Sequence, residues 1–235
     1  MCDDLKFLID VVKGASLLIT DEFEVKAKDE KGDLVTNFDY EIEKYIIDKI
    51  KEEYPDNSIV SEEYNSDKEL SSNCFTIDPI DGTVNFANNI PLWGIQVACI
   101  KNNSTCAAVI YLPRLEELYY ADSGGAYLNG KRIHVNNLDY NNALYAIDGI
   151  RGIEIQTKMR KFSTHFRSFG SAAVNFSWVA SGRLGAIVFG YNTVWDYTPG
   201  MYLVRQAGGY IYNDSNIHIA ANSSEFLEIL KDIVK

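Results

Sequence analysis

The sequence predicts an α+β fold, a layered sandwich of helices packed on mixed and antiparallel sheets. Apolar residues recur at helical spacing near both ends of the chain, while residues 95–128 read as a succession of short strands. Helices and strands come in blocks and not in strict alternation. That grouping favours antiparallel and mixed sheets over a doubly wound parallel sheet.

Taken in order, Leu5, Leu8, Ile9, Val12, Ser16 and Ile19 mark an amphipathic helix over 3–19. Residues 26–33 are charged and contain a glycine, so a mobile surface loop with solvated lysines is expected there; a lid near an anionic substrate is the other reading. Thr36-Asn-Phe-Asp39 opens a helix with a buried stripe of Phe38, Ile42, Tyr45, Ile46 and Ile50, stopping before Pro55. Ser58–Ser61 is a short strand, followed at once by Glu62 and Glu63. Phe75 and Ile77 flank Thr76 in a strand that runs into Asp78 and should end at Pro79, which cannot donate to a ladder. Gly82 to Asn85 reads as a turn opening a short helix.

Strands follow at 95–100, 106–112, 118–121 and 126–128, then the tight-hairpin signal Asn129-Gly130. Helices are expected at 154–162, at 171–181 with Ser171 as N-cap and Gly182 as stop, and at 196–207, closed by Gly208-Gly209. Strands at 184–189, 210–212 and 217–220 and a helix at 224–234 complete the chain, with Trp178 and Trp195 expected in the core. No repeat or linker divides it. One module over 1–235 is expected, with an N-terminal half of about 1–125 and a C-terminal half of about 126–235.

The net charge of −11 argues against nucleic acid and anionic membrane as partners. A small phosphorylated metabolite is compatible if cations reverse the sign locally. Cys2, Cys74, Cys99 and Cys106 form no C-x-x-C pair and read as reduced thiols, and no run approaches the ~18 apolar residues of a membrane span. A cytoplasmic protein is expected. His134, His165 and His218 are scattered without zinc spacing.

The stretch Cys74 to Phe86 is where chemistry concentrates. Asp78 and Asp81 flank Pro79 and precede Gly82 and Thr83, which puts two carboxylates beside the N–H groups of a helix start. Asp39, Glu62 and Asp196 occupy similar places, after a strand or at a helix opening. Carboxylates converging from several elements suit a hard divalent cation such as Mg²⁺, with phosphate and water completing its shell. The bland alternatives are a helix cap at Asp39, an acidic turn at Asp78, and a solvated Glu62-Glu63 loop.

Asp78-Pro-Ile-Asp-Gly-Thr83, preceded by Glu62-Glu63 and followed by Trp195-Asp196, resembles the inositol monophosphatase family of Mg²⁺-dependent, lithium-sensitive phosphatases. Asp33-Leu-Val-Thr36 with Asp39, and Gly170-Ser-Ala-Ala173, resemble further motifs of that family, so the similarity runs in order over nearly the whole chain. The resemblance implies an αβαβα sandwich of the sugar-phosphatase type and hydrolysis of a small phosphomonoester by a metal-activated water. It implies two or three Mg²⁺ ions. Glu62 would ligate the first, Asp78 would bridge two, the Ile80 carbonyl would complete one shell, and Asp81 and Asp196 would hold the second. Thr83 would orient the attacking water while Asp39 holds its hydroxyl. Gly82 and Thr83 would grip the phosphate, and Gly170, Ser171 and Ala172, with Asp81 and Asp196, would face the substrate. A homodimer is a further implication.

One position departs from the family. Its inositol phosphatases carry a glutamate seven residues before the aspartate of the Trp-Asp pair, where it binds substrate hydroxyls; here that position is Phe189. Phenylalanine accepts no hydroxyl hydrogen bond. The chain is also shorter than typical members of that family, with reduced loops in its second half, so a more open pocket and a different or broader substrate are expected: a sugar phosphate, fructose 1,6-bisphosphate, NADP or a 3′-phosphoadenosine phosphate. A module that binds metal and phosphate without turnover is the competing reading, and the presence of every implied ligand and of Thr83 weighs against it.

Overall fold

Leu5, Leu8, Val11, Val12 and Ala15 make one buried stripe, so the first segment folds as a helix laid on a sheet. In the computed structural model, which describes residues 1–28, 33–149 and 151–235, this helix α1 (Asp3–Ser16) stops short of residue 19. Strands β1 (Val25–Ala27) and β2 (Leu34–Thr36) pair antiparallel, Val25 with Thr36 and Ala27 with Leu34. The expected loop over 26–33 thus begins inside a strand, and its residues 29–32 lie outside the described residues. Helix α2 (Asn37–Glu53) buries Phe38, Ile42, Ile46, Ile47 and Ile50.

Strands β3 (Ser58–Ser61) and β4 (Cys74–Asp81) pair parallel. After the short helix α3 (Thr83–Ala87) the chain meanders antiparallel through β5 (Gly94–Lys101), β6 (Ser104–Leu112), β7 (Glu117–Asp122), β8 (Gly125–Leu128) and β9 (Lys131–Ile133). The seven strands from β3 to β9 form one sheet in chain order. Asn129 and Gly130, both at positive φ, make the tight turn between the last two.

Pro79 does not end β4. Asp78 faces Gln96 and Asp81 faces Gly94, so three steps on β4 match two on β5, and the extra residue forms a bulge. A bulge needs no ladder donor, which lets the strand run on to Asp81 through the proline.

The second sheet contains two strands that sequence periodicity did not signal, β10 (Tyr145–Gly149) and β11 (Phe166–Arg167), with helix α4 (Gly152–Met159) between them. Helix α5 (Ala172–Ala180), strand β12 (Ala186–Gly190), helix α6 (Val194–Gln206), strands β13 (Tyr210–Asn213) and β14 (His218–Ala221), and helix α7 (Ser224–Val234) follow. The sheet order is β11-β10-β12-β14-β13, parallel on the β10 side and antiparallel at β14.

Three buried clusters set the layers. Helices α1 and α2 cover one face of the seven-stranded sheet, α5 and α6 lie between the two sheets, and α4 and α7 cover the far face of the five-stranded sheet. The order is α, β, α, β, α, as the family resemblance implies. Among the described residues no helix is long and apolar enough to cross a membrane.

Candidate active site

The end of β4 and the first turn of α6 bring three carboxylates together. Oxygen atoms of Asp78, Asp81 and Asp196 lie within 4.8 Å of one another. Asp78 and Asp81 are buried, and Asp196 is half-buried. The Asp78 Oδ2 atom accepts one long bond, 3.4 Å, from Gln96 Nε2, and its Oδ1 is buried with no hydrogen-bond partner. Asp81 is clamped by the start of α5: its carboxylate accepts from the Ser171 hydroxyl, from Ala172 N–H at 3.1 Å and from Ala173 N–H at 2.7 Å. The same Ser171 oxygen caps α5 by accepting from Val174 N–H at 3.2 Å. Thr193 donates to Asp196.

Burial pushes the pKa of each of these groups up. Asp78 is raised further by the charges of Glu62, Asp196 and Asp81, and Asp81 by that of Asp196. Like charges this close in a dry setting cannot all ionise unless a cation joins them. The donors are all hard oxygens and one is an orphaned buried acceptor, so the residues present fit a divalent cation of the Mg²⁺ type.

Glu62 stands beside this group, immediately after β3. Lys28 donates to Glu62 at 2.9 Å and to Glu63 at 2.6 Å. Lys28 is exposed, as expected of a loop lysine, but two carboxylates hold its ammonium; Lys26 is exposed as well, and Lys31 lies outside the described residues. Burial raises the Glu62 pKa, Lys28 lowers it, and Asp196 raises it again.

Asp39 lies fully buried in the first turn of α2. Its Oδ2 accepts from Thr36 N–H at 2.7 Å and from the Thr36 hydroxyl at 2.6 Å, which tucks in the helix start. Its Oδ1 is left for Thr83 Oγ1 at 3.2 Å, and the Thr83 hydroxyl is also 2.9 Å from the Ile80 carbonyl. Burial pushes Asp39 up to about 6 against the lowering effect of the Thr36 bonds. Gly82, between bulge and helix, has φ +90°, and a Cβ there would sit 3.1 Å from the Ser171 Cβ.

Two acidic residues of this region were not singled out from sequence. Glu43 is wholly buried in α2 and accepts from the Ser61 hydroxyl at 2.5 Å, Glu63 N–H at 2.7 Å and Tyr64 N–H at 2.8 Å. It fixes the turn that carries Glu62. Its signal was available, since it follows Ile42 directly and lies one helical turn from Asp39. Asp148 is the last residue but one of β10, with a signal like that of Asp78: an acid closing an apolar run. Burial, then the charge of Asp196, pushes it up to about 6.

A cavity of about 730 Å³ joins these parts. It is lined by the carboxylate cluster, Gly82 and Thr83, and by Asp148 and Phe189 of the second sheet with Tyr191 just past β12. Gly170, Ser171 and Ala172 line it as well, with the Ser171 hydroxyl and the Ala172 N–H directed to Asp81. Trp195 is half-buried at the cavity and not in the core, where Trp93 is the most buried tryptophan.

Known proteins match this arrangement. The model of the inositol monophosphatase family matches residues 3–218. A fructose-1,6-bisphosphatase/inositol-1-monophosphatase of Thermotoga maritima is 34% identical over 202 residues, covering 83% of this chain and 77% of the relative. The inositol-1-monophosphatase of Bacillus subtilis is 35% identical over 196 residues, 79% of this chain and 74% of the relative. Among solved structures, a Thermotoga maritima IMPase superposes with a TM-score of 0.88 at 28% identity, covering 99% of this chain and 98% of that one. Sequence model, relatives and three-dimensional match agree, and the chain belongs to the inositol monophosphatase family of phosphatases.

Proposed function

We propose that this chain hydrolyses a small phosphomonoester in a Mg²⁺-dependent reaction. The observation that carries this reading is the meeting of Asp78, Asp81 and Asp196 within 4.8 Å, one oxygen orphaned, beside the Thr83–Asp39 pair. The family resemblance adds Glu62 and the Ile80 carbonyl as further ligands and two or three ions as the complement. A cation bound there supplies charge neutralisation and Lewis-acid activation of water.

The chain's own groups do the rest. Asp39 is held by Thr36, and its Oδ1 and the Ile80 carbonyl both draw the Thr83 proton inward, so the Thr83 oxygen is free to accept from a water and aim it. The N–H groups of Gly82 and Thr83, at the opening of α3, receive phosphate oxygens. The clamp of α5 on Asp81 holds that carboxylate still as charge develops. No protein nucleophile enters the scheme.

Phosphate release from a panel of phosphomonoesters, with and without Mg²⁺ and with lithium added, tests this. Release that needs Mg²⁺ and falls with lithium is expected. No release by folded, metal-bound protein would favour a binding module without turnover. The homodimer implied by the resemblance belongs to the same proposal and is tested by light scattering.

A further inference from the structure

The two walls of the cavity differ in chemistry. One carries the carboxylate cluster. The other is the second sheet, where β10 and β12 run parallel and Asp148 pairs in register with Phe189. Asp148 stands outside the group of three whose oxygens converge within 4.8 Å. Phe189 is only 3% exposed and offers no polar atom, whereas Asp148 is half-buried and lines the cavity. Within the protein the Asp148 carboxylate has a long contact, 3.5 Å, from Asn175 Nδ2, and support from the Gly149 N–H. It retains accepting capacity.

Its place is rigid. Gly149 has φ +117° and lies opposite Gly190, and a Cβ there would come 2.6 Å from the Gly190 Cα. The two strand ends pack backbone against backbone, so Asp148 and Phe189 keep fixed positions side by side. Among the described residues lining the cavity, Lys28 is the one cation, and Glu62 and Glu63 already hold it.

We propose that Asp148 is the specificity-determining residue of this site, accepting hydrogen bonds from hydroxyls of the substrate's alcohol portion. This rests on the phosphatase reading above. With phosphate at the cluster, the alcohol portion extends towards the second sheet, and a carboxylate there matches a pair of neighbouring hydroxyls. The same negative charge, with no free cation beside it among the described residues, disfavours a second phosphate. The substrate class is a polyhydroxylated monophosphate in preference to a bisphosphate.

The test compares wild type, Asp148→Asn and Asp148→Ala on inositol 1-phosphate, 4-nitrophenyl phosphate and fructose 1,6-bisphosphate, after melting curves show that each protein folds. In Asp148→Ala, kcat/KM for inositol 1-phosphate should fall about 10- to 100-fold more than for 4-nitrophenyl phosphate, mainly through KM, the scale of losing a charged hydrogen bond. Asp148→Asn should recover part of that loss. In both variants the preference for monophosphate over bisphosphate should shrink. Equal losses on all substrates, with a change in the Mg²⁺ concentration needed for half activity, would place Asp148 with the cations and overturn the proposal. An unchanged ratio between substrates would overturn it too. Calorimetry of inositol 1-phosphate binding with Ca²⁺ makes the same comparison without turnover, so an inactive wild type would count against the phosphatase reading and leave the role of Asp148 readable.

Discussion

Thr83 Oγ1 lies 3.2 Å from Asp39 Oδ1 across 44 residues of chain. One end of the Asp39 carboxylate secures the start of α2, and the other reaches the residue that opens α3. Thr83→Ala should lower kcat by about 10²- to 10⁴-fold, the usual scale for a group that positions or moves a proton. Asp39→Asn should do much the same, and the double variant should lose little more, because the two act as a unit. Steady-state kinetics of the three variants decides this.

The same pair predicts a pH dependence. Asp39 is pushed up to about 6 from an ordinary 3.8, and its ionised form is the stronger acceptor for the Thr83 hydroxyl. Activity should therefore fall as pH drops below about 6. For stability the sign is opposite. The folded state holds a proton that the unfolded state releases near 4, so this carboxyl favours folding at low pH by roughly 3 kcal/mol, and the contribution is lost as pH rises through 6. Asp39→Asn should flatten that part of the stability curve, as read by denaturant melts between pH 4 and 8.

Asp81→Asn should fold yet lose most activity, by about two to three orders of magnitude, because a cation ligand loses its charge. Asparagine also turns one NH₂ towards a site that offers only donors, from Ser171, Ala172 and Ala173. A stability loss of about 1–3 kcal/mol should accompany the kinetic one. Activity at the wild-type rate in this variant would remove Asp81 from the site.

Among the described residues, the hydrogen bonds of Glu43 go to Ser61, Glu63 and Tyr64, none of which lines the cavity. Glu43→Gln should replace one of three accepted bonds with a donor facing a donor, at about 1–3 kcal/mol of stability. Because that turn carries Glu62, more Mg²⁺ should be needed for half-maximal rate while the rate at saturation changes less. A Mg²⁺ titration of activity, beside a melting curve, reads both.

Metal and protons should compete. Asp78, Asp81, Glu62 and Asp196 all hold protons to higher pH in the folded protein than when exposed. Without metal, these groups favour the folded state in acid and disfavour it as pH rises. The rise in Tm on adding Mg²⁺ should therefore be larger at pH 8 than at pH 5.5, and a chelator should abolish it. An equal rise at both values would mean that the cation binds elsewhere.

Much of this was legible in the residues. Helical spacing located α1, α2 and α7, and a strand ending at Ser61 and another running into Asp78 pointed to Glu62 and Asp78. The signal failed where long-range pairing decides. Pro79 reads as a strand end because the bulge that tolerates it exists only in the pairing of β4 with β5, and β10 and β11 are short strands whose partner β12 or edge position comes from elsewhere in the chain. Phe189 was conspicuous from its spacing to Asp196, but its neighbour Asp148 emerges only from the register of two parallel strands. Lys28 looked like a loop lysine because ion pairs with Glu62 and Glu63 leave no periodic trace.

Asp81 belongs to one sheet, while the donors that hold it belong to α5, and Asp196 belongs to α6, both in the layer between the sheets. The reactive centre is therefore a seam. Any loosening between its two sides disperses the three carboxylates before a single strand has to melt. Under mild urea or gentle heating, loss of turnover should run ahead of loss of secondary structure, and a bound cation should act as the rivet that delays both.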